Sequence, residues 1–130
     1  MSVPLPTELD IIAPDGSEVR ILVRSERGSM AHFQLAPGGI SIAVRHASVE
    51  ELWFVVQGRG EMWLGGDTAE LVVLEPGASV RISPGTSFQF RSLGAEPLAA
   101  VAVTMPPWPT DGDEALPADG PWTPTVPPPA

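Results

Sequence analysis

Residues 39–58, GISIAVRHASVEELWFVVQG, hold two β-type patterns separated by a short polar break. In the first, Ile40, Ile42 and Val44 alternate with their neighbours, the period-two signature of a strand with one buried face. His46 shares that parity, so a strand unbroken to residue 46 aims its imidazole at the apolar side. A bulge or early turn at Ala47–Ser48 would instead leave a partly exposed loop histidine. In the second pattern, residues 51–57 are apolar on both faces, as in a strand inside a sandwich or barrel. Glu51 opens that strand with the parity of Trp53 and Val55, which points a carboxylate inward, whereas Glu50 faces away.

Working outward, strand signals recur at intervals of about eight to twelve residues, the spacing of a sandwich or barrel. They fall at 18–24, 28–35, 40–44, 51–57, 61–64, 69–74, 79–82, 86–91 and 97–105, with turns such as Ala36-Pro37-Gly38-Gly39, Gly65-Gly66-Asp67, Glu75-Pro76-Gly77 and Ser83-Pro84-Gly85 between them. No window of a dozen residues has a helical period. The expectation is an all-β body over residues 1–105. Residues 106–130 form a Pro-rich, acidic tail with nine of the chain's sixteen prolines. Trp108 and Trp122 are placed to pin parts of it, and beyond about residue 115 a solvated tail is expected.

Composition narrows the function. The chain is 43% hydrophobic, enough for a folded core in 130 residues. Sixteen acids face seven bases, all arginine, for a net charge of −9. A field of that sign repels phosphate backbones, so no nucleic-acid partner is expected. Cysteine is absent, which removes disulfides, thiolate nucleophiles and zinc–thiolate sites. The first ten residues lack the basic and apolar regions of a secretory signal, and no apolar run suits a bilayer. A cytoplasmic protein with no membrane partner is the expectation. Phosphate loops and hydrolase triads find no support in the sequence.

The glycine frame carries a resemblance. From Gly39, the spacing G-x5-H-x-H-x3-E-x6-G reaches Arg45, Ala47, Glu51 and Gly58; from Gly77, G-x5-P-x-G-x2-H-x3-N reaches Ser83, Gly85, Phe88 and Ser92. With both frames in place over residues 19–104, the chain resembles a small single-domain cupin. The resemblance implies a jelly-roll β-barrel. In that family two histidines and the glutamate of the first motif, with the histidine of the second, hold a divalent metal. Here Arg45, Ala47 and Phe88 stand at the imidazole positions, so the resemblance implies no standard metal centre and no cofactor. Small cupins that resemble this chain read HRTVEE and GTHFQF, with histidines at the equivalents of His46 and Ser87. That leaves a displaced set of His46 with Glu50 or Glu51, lacking the member at position 87, which is serine here.

Several side chains keep two readings. Arg45 and Glu51 form either a structural plug or an anion-binding arginine beside a general base. Trp53, Phe88 and Phe90 either enclose an apolar ligand or fill the core. His32 lies at an edge or surface, or joins His46 inside. Three functions follow. The first is a small-molecule-binding cupin in which Glu51 or His46 moves a proton, Arg45 orients an anionic group, and Trp53, Phe88 and Phe90 surround the apolar part. The second is a metalloprotein built on His46 with Glu50 or Glu51, closed by water and His32. The third is a non-enzymatic binding module with the tail as contact arm. A homodimer is expected, with Leu52, Phe54 and Val56 supplying apolar surface.

Overall fold

The computed structural model describes residues 1–108 and 114–126. Among them the chain forms eleven strands: β1 Ile11–Ile12, β2 Glu18–Arg24, β3 Ser29–Leu35, β4 Val44–His46, β5 Glu50–Gln57, β6 Gly60–Leu64, β7 Glu70–Leu74, β8 Ser79–Ile82, β9 Ser87–Ser92, β10 Leu98–Met105 and β11 Ala115–Pro117. All their pairings are antiparallel. One sheet has the order β1-β2-β3-β10-β5-β8, the other β11-β4-β9-β6-β7. Two such layers closed face to face are a jelly roll, within the sandwich-or-barrel class that the strand spacing predicts and as the resemblance implies. No helix among the described residues is long and apolar enough to cross a membrane.

Alternation decides what lies between the layers. Trp53 and Val55 of β5, Met62 and Leu64 of β6, Phe88 and Phe90 of β9, and Phe33 of β3 are all buried. Phe33 stacks on Trp53 with ring centroids 5.9 Å apart, and Phe90 meets Trp53 edge-on at 5.0 Å. The presumed aromatic hollow is therefore filled by its own side chains. Each large one contributes about 1.5–3 kcal/mol of apolar burial.

Three elements differ from the sequence reading. The segment 40–44 is not a full strand. Only Val44 joins β4, Ile40 makes an isolated bridge to Arg91, and Ile42 N–H donates to the Asp15 carbonyl at 2.8 Å. Strand β5 is buried on one face only: Leu52, Phe54 and Val56 remain 42%, 51% and 44% exposed. Beyond Met105 the described chain stays on the body. Trp108 is buried against Phe33, its N–H donating to Ser29 Oγ at 2.7 Å. Strand β11 adds to the edge of β4.

Beyond residue 116 the described tail is mostly exposed, as expected, but it is tied to the body at Trp122 and Thr125. Gln89, wholly buried, donates to the Trp122 carbonyl at 2.8 Å and accepts from Trp122 N–H at 3.1 Å, and Arg91 lies 4.2 Å over the Trp122 ring. Thr125 N–H donates to the Ile40 carbonyl at 3.1 Å. Residues 109–113 and 127–130 of the tail lie outside the described residues.

Candidate acid–base site at the end of the barrel

Strand β4 is only three residues long, and its burial runs buried, exposed, buried. Val44 and His46 therefore face the interior and Arg45 faces solvent. His46 is 5% exposed, with its ring stacked on Phe88 at 5.9 Å. Across the interior, Glu51 at the start of β5 is 3% exposed. The two meet, Nε2 to Oε1, at 2.9 Å. The other oxygen of Glu51 accepts the indole N–H of Trp53, two residues along the same strand face, at 2.7 Å. Both oxygens of this carboxylate are held, one by an imidazole and one by an indole.

Two further carboxylates complete the surroundings. Asp15 is 5% exposed in the loop before β2, and its Oδ1 accepts from Ser17 N–H at 2.9 Å and Ser17 Oγ at 2.6 Å. Glu114, just before β11, accepts from Ser48 N–H (2.7 Å), Ser48 Oγ (2.8 Å) and Val49 N–H (2.5 Å). Its Oε1 stands 3.9 Å from His46 Nδ1, too far for a hydrogen bond, and Nδ1 is buried with no partner among the described residues. A void of about 10 Å³ remains between Asp15, His46, Glu51, Phe33, Trp108 and Ala115. That is room for about one water.

The charges reinforce one another. Burial works against a charged imidazole at His46, but the hydrogen bond and charge of Glu51, then the charges of Glu114 and Asp15, outweigh it and raise its pKa. Burial pushes Asp15 from 3.8 to about 6, against the bonds from Ser17, which favour its ionised form. For Glu114, burial is outweighed by the bonds from Ser48 and Val49, and the pKa is lowered. Because Nε2 faces the Glu51 carboxylate, the neutral ring carries its proton there and keeps a lone pair on Nδ1.

The structure brings together His46, Glu51, Trp53 and Phe88, with Phe90 behind Trp53. It does not bring Arg45 to them; the expected Glu51–Arg45 pair is replaced by Glu51–His46. Glu50 lies on the other face of β5, opposite Met105. His32 lies with Met30 on the outer face of its sheet, opposite Arg20 and Val101, and does not join His46. Its pKa is lowered by burial and then by Arg20.

The residues at the family's metal positions do not fit a metal. Arg45 and Ala47 are exposed, Phe88 offers only hydrocarbon, and both oxygens of Glu51 are engaged. Among the described residues no group of three His, Cys, Asp or Glu side chains is placed to hold an ion.

Asp15 and Glu114 escaped the sequence reading. "PDGS" reads as a turn, which it is, and nothing local ties a glutamate near the end of the chain to residues 48 and 49.

Comparison with known proteins agrees with this architecture. The family described as "Cupin domain" matches residues 31–104. An uncharacterized protein of Methanocaldococcus jannaschii is 27% identical over 121 residues, 86% of this chain and 94% of that one. Among solved structures, KdgF from Halomonas sp. is 16% identical with a TM-score of 0.67, over 82% of this chain and 94% of its own. A conserved protein with a double-stranded β-helix domain from Klebsiella pneumoniae is 18% identical with a TM-score of 0.63, over 90% of each chain. The capsular polysaccharide assembling protein CapF of Staphylococcus aureus reaches a TM-score of 0.74 at 15% identity, over 86% of this chain. This chain spans about a third of the length of CapF, 34%. At these identities the solved structures speak for the fold alone. With two glycine-framed motifs, a double-layered antiparallel barrel and a family match over more than half its length, the chain belongs to the cupin family.

Proposed function

We propose that the protein binds a small organic molecule at the His46–Glu51 end of the barrel and exchanges a proton with it through His46 Nδ1. The observation that carries this reading is the buried 2.9 Å contact between His46 Nε2 and Glu51 Oε1, which leaves Nδ1 without a partner among the described residues, in a ring that lines a small void. Glu51 orients the ring and supports its charge, and Trp53 keeps Glu51 from rotating away. A proton taken up at Nδ1 is stabilised by Glu51, Glu114 and Asp15 together.

The same three carboxylates select the ligand. With Arg45 in solvent, no cation among the described residues other than the imidazole faces this end of the barrel, so a neutral molecule or a protonated amine fits better than the anion first expected. Phe33 and Trp108 receive its apolar part. Since the void holds about one water, a larger ligand requires Trp108 and Ala115 to leave their places.

A panel of neutral heterocycles, small amines and small carboxylates, followed through the Trp53 indole N–H and His46 ring signals, tests this. Neutral compounds or amines are expected to shift both signals, and amines to bind more weakly to E114Q, which removes one of the three selecting charges. If carboxylates alone shift them, or if no compound does in either protein, the reading fails.

The homodimer belongs to the same proposal. Its support is the outward row Leu52, Phe54 and Val56 on β5, an apolar strand face left open to solvent. Light scattering is expected to give twice the mass of the 130-residue chain, falling to one chain in L52K/F54K; a single-chain mass for the unmodified protein at micromolar concentration rules the dimer out.

A further inference from the structure

Away from the barrel interior, the hairpin joining β2 and β3 borders an open groove of about 380 Å³. That is within the size range of small-ligand clefts, whereas the void beside His46 and Glu51 holds about 10 Å³. A bulge shapes the groove. Ile21 pairs with Ala31 and Arg24 with Ser29, so Leu22 and Val23 together oppose Met30. The extra residue breaks the alternation that buries Val19, and Val23 lines the groove with Met30, Val103 and Met105. Met30 and Val103 are direct cross-strand partners, so the floor is continuous from β3 to β10.

The rim has the opposite character. Arg24 and Arg27 line it from the tip of the hairpin, both exposed. Neither has an ion pair among the described residues, while Arg59 and Arg91 pair with Glu75 and Glu61. Glu26 lies between them in sequence but does not line the groove. The hairpin is held in shape by Ser25 N–H donating to the Gly28 carbonyl at 2.8 Å. At Gly28 an added Cβ would stand 3.0 Å from the Thr104 carbonyl oxygen, so the hairpin lies tight against β10. In a chain of net charge −9 with seven basic residues, two unpaired guanidiniums over one apolar floor are a local reversal of sign.

We propose that this groove binds an amphipathic monocarboxylate, its apolar part on Val23, Met30, Val103 and Met105 and its carboxylate between Arg24 and Arg27. The arginine fork matches a carboxylate, and a long apolar tail with a single charge matches a mostly apolar lining under an acidic overall field. This site is independent of His46 and Glu51.

Decanoate below its micelle concentration, titrated into the full chain and followed by amide chemical shifts, tests the proposal. Saturable binding is expected, with shifts at Arg24, Met30 and Val103. Affinity should fall roughly tenfold or more in R24Q/R27Q, which alters only exposed side chains. Decyltrimethylammonium, with the same tail and opposite charge, is expected to bind more weakly than decanoate. Equal affinity for the two amphiphiles overturns the proposal. So do shifts confined to Leu52, Phe54 and Val56 or to Trp53, or the absence of saturation.

Discussion

His46 shows how local alternation overrides a spacing pattern. The glycine frame places Arg45 and Ala47 at inward family positions, whereas the parity of Val44 places His46 inward; a strand of three residues cannot do both. Parity prevailed because Val44 is buried beside Phe88 and fixes the register. Glu51 was legible for the same reason, and its partner was read two ways, as Arg45 from the motif positions and as His46 in the displaced set; the two differ by one residue and so by a whole face. Removing the negative charge in E51Q is expected to lower the His46 pKa and to weaken the hold on Nε2–H, read from ring nitrogen shifts. Asp15 gives a second test. Its pKa rises from 3.8 to about 6 through burial, so ionising it opposes folding. D15N keeps the oxygen that accepts from Ser17 and removes that penalty. It is expected to stabilise the protein by about 2–3 kcal/mol at pH 8 and by much less below pH 4, in denaturant titrations at both values.

At the scale of elements, the strands were legible because each pairs a period-two run with a turn: eight of the eleven were placed within one residue, and a ninth, expected at 40–44, became β4 at 44–46. The missed pair, β1 and β11, are two and three residues long and owe their pairing to neighbours rather than to their own pattern. Strand β11 and Trp108 make the C-terminal segment part of the site's wall, through contacts that span some 70 residues of sequence. W108A is expected to cost about 3–5 kcal/mol in denaturant unfolding, as for other buried large aromatics. Gly58 explains why the motif's glycine frame survived where its histidines did not. Its φ is +83°, and a Cβ there would collide with the Pro97 carbonyl oxygen. G58A is expected to destabilise by more than about 1 kcal/mol, whatever the state of the site.

For the whole molecule, the buried charges set the response to pH. Asp15 binds a proton more tightly folded than unfolded, so its contribution falls as pH rises from 3.8 through about 6. The raised pKa of His46 contributes fully below 6.5 and is lost above its folded value. The lowered pKa of Glu114 acts the other way, contributing above 4.5 and being lost as pH falls below it. From these three groups stability is therefore expected to be highest near about pH 4 to 4.5, to decline toward pH 6 as Asp15 ionises, and to decline again above 6.5 as His46 loses its proton. The jelly roll itself was legible because turn spacing and the two glycine frames agree. The filled interior was not, because alternation says which side chains point inward and not how much space they leave.

The account rests on His46 as a buried base held through Nε2 by Glu51. The most direct test is a pH titration of its ring nitrogens by nuclear magnetic resonance. The prediction is a proton on Nε2 in the neutral form and a midpoint above 6.5, the ordinary histidine value. A neutral ring protonated at Nδ1, or a midpoint below 6.5, would contradict it.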